Sequence, residues 1–327
     1  MSLYRLHILL RHTGFRGLQM LRTKQNWSAQ SPYERFFDFI APEVDRFAVL
    51  LDHIQKLGLN SLVISIEENR HFFIFPKRIN LKLSPGDAFP FNGESPIALT
   101  AHYDRVSGSP GANDNSAAVF QLLKTAQKLD EMELDRWIII FTDKEELQSG
   151  EGFQQQGSYG LAKKLRRLGL INAQIFNFDA CGTGEVFLFS GTTDYLLDKN
   201  EKPGFRRISQ RVKKLRKKVL DTARRLSLSH VLSVPTPFSD DAGFLQGGLP
   251  AQTITMLPEN EASHFASLLR NRPEFIDLLI SGSLNNPVDR LQIPETWRAI
   301  NGPEDKHTRL TPENYDRIVR FAVELCK

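Results

Sequence analysis

The stretch that decides the fold is "LTAHYDRVSGSPGANDNSAAV", residues 99–119, in which a short apolar run leads into a polar turn and then into small residues. A strand, a turn and a helix in succession form the repeating unit of an α/β sheet. The turn carries His102, Asp104 and Asp114. A histidine and two carboxylates at such a place are either an acidic loop or part of a metal site. The rest of the chain has to decide between these interpretations.

Strands and helices alternate along the chain on both sides of this turn. Runs rich in β-branched and aromatic residues predict strands, and apolar residues at three- and four-residue spacing predict helices. This alternation predicts a three-layer α/β/α sandwich. We predict strands at 60–67, 71–77, 96–103, 136–142, 173–179, 185–191 and 251–257, and helices at 31–58, 116–130, 159–169, 205–229 and 312–327.

The domain organisation follows from the same pattern. We expect a basic N-terminal extension over residues 1–30 and a single domain over 31–327. Within that domain, residues 31–90 supply a helix and a hairpin that pack on the sheet. The long stretch 258–300, which interrupts the alternation of strands and helices, is interpreted as a cap over the candidate active site.

The composition excludes several classes of protein. The chain has 327 residues, of which 41% are hydrophobic, and a net charge of +4. This charge is too small to indicate a nucleic-acid-binding protein. Two cysteines, Cys181 and Cys326, exclude a disulfide framework and a cysteine-based zinc finger. No apolar run approaches the roughly 18 residues of a transmembrane helix, and no secretory signal is evident, so we expect a cytoplasmic protein.

Two segments are strongly basic. Residues 1–33 contain no acidic residue, and the predicted helix 205–229 contains one, Asp221. Each could bind an anionic surface or partner. The simpler interpretation is a docked extension in the first case and a solvated helix face in the second, and we prefer it.

Polar side chains follow four of the predicted strands. Because α/β sheets bind ligands beyond the carboxyl ends of their strands, we expect these side chains to converge. Two histidines and several carboxylates are the ligand set of a two-zinc hydrolytic site, in which the ions lie about 3.5–4 Å apart. The candidate residues are His102, Asp104, Asp114, Glu145, Glu146, Asp179 and His307.

These motifs, in this order, resemble those of the zinc aminopeptidase family of co-catalytic metallopeptidases. That family includes bacterial leucine aminopeptidases and glutamate carboxypeptidase II, with the glutaminyl cyclases as a divergent branch. The likeness covers roughly residues 90–327 and implies a mixed, mostly parallel sheet. The motifs that carry it are "AHYD" (101–104), "GANDN" (111–115), "DKEE" (143–146), "NFDACG" (177–182) and "KHT" (306–308).

The resemblance implies a role for each metal ligand. Asp114 would bridge two zinc ions, with His102 and Asp179 completing one and Glu146 and His307 the other. Cobalt or manganese would be possible substitutes for zinc.

The resemblance also implies the catalytic roles. Glu145 would be the general base, and Asp104 would orient the ring of His102. A cis peptide is implied at Asp114–Asn115. The expected substrates are peptides with a free N-terminus, and neither nucleic acid nor a membrane-spanning segment is expected.

Two features leave alternatives open. The segment "LQSGEGFQQ", residues 147–155, departs from the family pattern. Its Glu151 could anchor a substrate amine or be a solvated loop residue. The alternative to an aminopeptidase is a single-zinc enzyme like glutaminyl-peptide cyclotransferase, which does not use the histidine of "AHYD" as a ligand. The full set of five ligands favours the aminopeptidase.

Overall fold

The computed structural model describes residues 8–9, 34–79, 91, 95–199, 205–284 and 286–327. Most of the expected N-terminal extension, residues 1–30, therefore lies outside the described residues. The strands are β1 (Ile8–Leu9), β2 (Ser61–Ile66), β3 (Asn69–Ile74), β4 (Ile97–His102), β5 (Trp137–Thr142), β6 (Gln174–Phe178), β7 (Val186–Ser190), β8 (Val231–Val234) and β9 (Ala251–Leu257).

Helices account for most of the remaining described residues. They are α1 (Glu34–Ile40), α2 (Arg46–Lys56), α3 (Ala117–Glu131), α4 (Gly157–Arg167), α5 (Thr192–Asp198), α6 (Phe205–Arg225), α7 (Asp240–Gln246), α8 (Glu259–Asn271), α9 (Glu274–Ser281), α10 (Pro287–Gln292), α11 (Glu295–Ala299) and α12 (Asn314–Leu325).

The predicted helix 31–58 is in fact two helices, α1 and α2. The break contains Pro42 and Glu43, and Glu43 has a φ of +55° that no α-helix accommodates. Asp45 then caps the second helix by accepting a hydrogen bond from the Ala48 N–H at 3.2 Å.

The strands form one mixed sheet in the order β1-β2-β3-β5-β4-β6-β9-β7-β8. The central strands β5, β4, β6 and β9 are parallel, while β3 and β7 run antiparallel to them on either side. The chain leaves β4 through α3 to reach β5, and leaves β5 through α4 to reach β6 on the other side of β4. Ligand sites form at the carboxyl ends of strands where such connections diverge.

The sheet is buried on both faces. Alternate residues of β5 pack in opposite directions: Trp137, Ile139 and Phe141 face the helices α2, α3 and α12, whereas Ile138 and Ile140 face α4 and α7. All five are fully buried, and burial of such side chains is the main force that holds the layers together. The predicted three-layer sandwich around a mixed sheet is confirmed.

The segment interpreted as a cap forms the helices α8 to α11. It has an apolar cluster of its own, in which the rings of Phe265 and Trp297 meet edge-on with centroids 5.1 Å apart. This cluster packs on Val186 and Leu188 of β7. The segment therefore rests on one end of the sheet and leads into residues 300–310, which return to the carboxyl ends of the central strands.

The basic helix is α6. Its apolar residues Val212, Leu215, Val219 and Ala223 are buried, while most of its lysines and arginines are exposed. Nowhere in the described ranges does a helix combine the length and apolarity that crossing a bilayer requires.

Candidate metal centre

His102 is the last residue of β4 and is fully buried. Its Nε2 lies 2.9 Å from Asp114 Oδ1 and 3.7 Å from Asp179 Oδ1, and its Nδ1 lies 3.4 Å from Asp104 Oδ1. Despite these short distances, neither ring nitrogen has a well-directed hydrogen bond with any described residue. Buried polar atoms are rarely left in this state. A metal ion bound to Nε2 would account for that nitrogen, while Nδ1 lies against Asp104.

Asp114 lies in the metal turn, residues 111–116, which connects β4 to α3. The turn begins at Gly111, whose φ is +62° and where a Cβ would come within 2.8 Å of the Asp114 carbonyl oxygen. The Asp114–Asn115 peptide is cis, as the resemblance implies. The carboxylate of Asp305 accepts hydrogen bonds from the Asn113 N–H at 2.8 Å and from the Asp114 N–H at 3.0 Å. The turn is thus fixed from outside by a residue far along the chain.

Glu145 and Glu146 follow β5. Their backbone N–H groups donate to Asp104 at 3.2 and 3.0 Å. The carboxylate that lies against His102 therefore also shapes this loop. Gln156 donates from Nε2 to Glu145 Oε1 at 3.3 Å and accepts from the Gly243 N–H at 3.1 Å. Glu145 is consequently positioned by both its backbone and its carboxylate.

The structure brings several predicted ligands together. One ligand atom each from His102, Asp114 and Glu146 lie within 4.8 Å of one another. Asp179 borders this group through its contact with His102. Its own backbone N–H donates to the Ile254 carbonyl of β9 at 3.0 Å, which holds it at the end of the parallel strands.

His307 is placed elsewhere. It lies in a 3-10 turn, His307–Arg309, its side chain is exposed, and its ring meets the ring of Phe37 edge-on with centroids 4.9 Å apart. Asp305, two residues earlier, contacts the metal turn with both its backbone and its side chain. Its carbonyl accepts a hydrogen bond from the Ala112 N–H at 3.2 Å, and its carboxylate accepts from the Asn113 N–H. The chain therefore reaches the centre with Asp305 rather than with His307.

The charges of the centre are unbalanced. Burial and the charge of Asp114 raise the pKa of Glu146 to about 8, and burial followed by the charge of Asp179 raises the pKa of Asp114 itself. Burial lowers the pKa of His102, but the neighbouring carboxylates outweigh it and raise this pKa well above the usual value. The group therefore lacks positive charge. A divalent ion such as zinc would supply that positive charge, and carboxylate and imidazole groups are donors that zinc accepts.

The pKa of Glu145 is also raised. Burial, together with the charges of Asp179 and Glu146, raises its pKa well above the usual range. A carboxylate with a raised pKa has the proton affinity that a general base needs near neutral pH.

Sequence reasoning missed three further residues of the centre. Arg46 of α2, only 6% exposed, donates to the Asp104 carbonyl at 3.1 Å and to Ser116 Oγ at 2.5 Å. Asn301 approaches the carboxylates of the metal group. Asp305 fixes the metal turn. Only Asp305 has a local signal, since it lies two residues before the motif histidine.

Glu151, the candidate anchor for a substrate amine, is held within its own loop. Its carboxylate pairs with Lys144 Nζ at 2.9 Å and accepts from the Gln148 N–H at 2.8 Å.

Comparison with known proteins places this sequence in a family. The model of peptidase family M28 matches residues 81–324. No protein of curated function matches the sequence. Among solved structures, a glutaminyl cyclase from Bacteroides thetaiotaomicron is 17% identical, with a TM-score of 0.57 over 90% of this chain and 96% of that one.

Two solved aminopeptidases also match this chain. The LapA aminopeptidase of Legionella pneumophila is 13% identical, with a TM-score of 0.56 over 90% of this chain and 70% of that one. A zinc aminopeptidase from Bacillus subtilis is 17% identical, with a TM-score of 0.49 over 78% of this chain, which spans about half (49%) of its length. At these identities the two structures with TM-scores above 0.5 establish the fold alone. The family model covers residues 81–324, most of the sequence and the range in which all five motifs lie, and the chain belongs to peptidase family M28.

Proposed function

We propose that this chain is a zinc-dependent aminopeptidase that hydrolyses the first peptide bond of peptides with a free N-terminus. The observation that carries the proposal is the arrangement of Glu145. Its half-buried carboxylate follows the end of β5, next to the ligand Glu146, and it is positioned by Gln156. Metal ligands and a separate carboxylate base are the two requirements of metal-assisted peptide hydrolysis.

His102, Asp114, Glu146 and Asp179 would hold the metal. Bound zinc supplies a water of lowered pKa and polarises the scissile carbonyl. Glu145 accepts a proton from the attacking water as the new carbon–oxygen bond forms. It then passes that proton to the amine nitrogen as the carbon–nitrogen bond breaks.

The residues around Glu145 support this division of roles. Glu145 and Glu146 are adjacent, and Asp104 accepts both of their backbone N–H groups. One carboxylate can then face the metal while its neighbour stays free, since successive side chains of an extended segment point in different directions. Asp104 is therefore a positioning residue for His102, Glu145 and Glu146 together.

The test is a panel of aminoacyl-anilides, assayed with zinc, cobalt and manganese. We expect hydrolysis by the wild-type chain. In Glu145→Gln we expect turnover to fall by roughly 10² or more while metal binding persists, because general-base catalysis contributes about that much. Undiminished hydrolysis by Glu145→Gln would exclude the role of Glu145. Glu151→Gln serves as a control on a nearby carboxylate that contacts Lys144 instead.

A single-zinc glutaminyl-peptide cyclotransferase is the second candidate. It is favoured by one observation: the glutaminyl cyclase from Bacteroides thetaiotaomicron is matched over 96% of its own length, against 70% for the LapA aminopeptidase. The compact ligand group argues against it, because that group includes His102, the histidine that this branch does not use. Incubation with a peptide that begins with glutamine separates the two. An aminopeptidase releases free glutamine, whereas a cyclotransferase releases ammonia and leaves the peptide bond intact.

A further inference from the structure

Asn301 brings a side chain from the end of the cap segment to the metal carboxylates. It follows α11, and one terminal atom of its amide lies 3.2 Å from Asp114 Oδ2 and 2.7 Å from Glu146 Oε1. Its φ is +63°, a left-handed conformation that asparagine tolerates better than most residues. The residue type therefore suits a backbone that directs the side chain into the centre.

The amide can meet these carboxylates in two orientations. With its nitrogen inward, it donates a hydrogen bond to each carboxylate. With its oxygen inward, three oxygens face one another, and either a proton on one carboxylate or a cation among them is needed to make that stable. Separations of 2.7 and 3.2 Å are also those of neighbouring oxygens on one ion, which are about 3 Å apart when each lies about 2.1 Å from the metal.

We propose that Asn301 Oδ1 joins Asp114 and Glu146 as a ligand of a second divalent ion, in the role that the resemblance gives to His307. The imidazole of His307 is exposed and lies against Phe37. The inference rests on the proposed function only in assuming that metal binds at Asp114 and Glu146.

A second position with Asn301 instead of a histidine as its ligand prefers a different ion. His102 and Asp179 give the first position a nitrogen and carboxylate oxygens, which suit zinc. Asp114, Glu146 and Asn301 give the second position oxygen alone, and carboxylate and carbonyl oxygens suit manganese or magnesium better. The centre is thus built for two different ions, with zinc on the β4–β6 side and a harder ion on the side of the cap.

The test is a titration of the metal-stripped full chain, first with one equivalent of Zn²⁺ and then with Mn²⁺. Elemental analysis after dialysis gives the stoichiometry, and the manganese electron paramagnetic resonance signal reports its binding. Asn301→Gly removes the side chain at a backbone conformation that glycine favours. Asn301→Asp keeps an oxygen there. His307→Ala removes the imidazole that the resemblance selects.

We expect one zinc and one manganese in the wild type. Asn301→Gly should weaken manganese binding roughly tenfold or more, with zinc unchanged, while Asn301→Asp and His307→Ala keep both ions. Loss of manganese in His307→Ala but not in Asn301→Gly would overturn the proposal in favour of His307. Equal loss in Asn301→Asp and Asn301→Gly would reduce Asn301 to a hydrogen-bond donor. A wild type that binds one ion in all would also overturn it.

These outcomes are independent of the proposed activity. If the chain is not an aminopeptidase, the fully loaded protein fails to hydrolyse the anilides, yet the metal titration and the effects of the variants are unchanged. Thermal unfolding of each metal-free variant checks that it folds, and Asn301 is exposed, so we expect little change there.

Discussion

Asp305 should be essential to the metal turn even though it binds no metal in our assignment. Its carboxylate is only 3% exposed and accepts the N–H groups of Asn113 and Asp114, at 2.8 and 3.0 Å. Asp305→Ala leaves both N–H groups buried without an acceptor. Each such group costs about 1–3 kcal/mol, so we expect the free energy of unfolding to fall by roughly 2–6 kcal/mol. That is a large part of the stability of an ordinary domain.

Asp305→Asn is the graded variant. It keeps one acceptor oxygen and turns an NH₂ group toward the other N–H, so roughly half of the loss is expected, about 1–3 kcal/mol. Because Asp114 sits in this turn, metal affinity should fall in the same order. Urea unfolding and metal titration at pH 8 measure both quantities, since burial raises the pKa of Asp305 to about 6 and the carboxylate is then ionised.

Asp52→Ala is the matched control. Asp52 is an exposed carboxylate that pairs with Lys56 at 2.7 Å within α2, and exposed pairs of this kind contribute little to stability. If Asp305→Ala unfolds at the urea concentration of the Asp52→Ala control and binds metal like the wild type, the turn is held by its own backbone and the reasoning fails.

Two further predictions concern stability. Burial lowers the folded-state pKa of His71 to about 4. Between this value and the unfolded value of about 6.5, only the unfolded chain binds a proton at His71. The free energy of unfolding should therefore decline by about 3 kcal/mol as the pH falls from 6.5 to 4. Urea unfolding of His71→Asn, which keeps an acceptor for the Asp143 N–H, should lack this part of the decline, and an identical pH slope would contradict it. In Gly157→Ala the new Cβ would lie 1.9 Å from the Asp143 carbonyl oxygen, so we expect a loss of roughly 3 kcal/mol or more in urea unfolding. Gly160→Ala, whose nearest contact is the flexible Ile66 side chain at 3.2 Å, should be neutral or stabilising by the same measurement.

The sequence predicted the central part of the fold well because its patterns there are long and buried. The strand at 96–103 and the helix at 116–130 differ from β4 and α3 by only a residue at each end. The helices α5 and α7, with seven residues each, and the four-residue strand β8 were not predicted. Elements this short contain too few apolar repeats to show a period.

The order of the site's motifs along the chain could be predicted from the sequence, but the directions of their side chains could not. The structure brings His102, Asp114 and Glu146 together because each lies at or after the carboxyl end of a strand that the sheet fixes. His307 follows no strand, so its motif gave a position in the chain without a direction. Arg46 could not be foreseen either, since it reaches Ser116 across 70 residues of sequence.

The two sides of the centre differ in how firmly the fold holds them. His102 and Asp179 extend from β4 and β6, which are hydrogen-bonded to each other, and both are tied to neighbouring backbone. Glu146 lies in a loop that begins at Lys144, with φ of +58°, and Asn301 is exposed at the end of the cap. A rigid set of donors loses less conformational entropy when an ion binds. The β4–β6 side should therefore fill first. A stepwise titration, with zinc before manganese, is what this difference in rigidity and the difference in donor atoms both require.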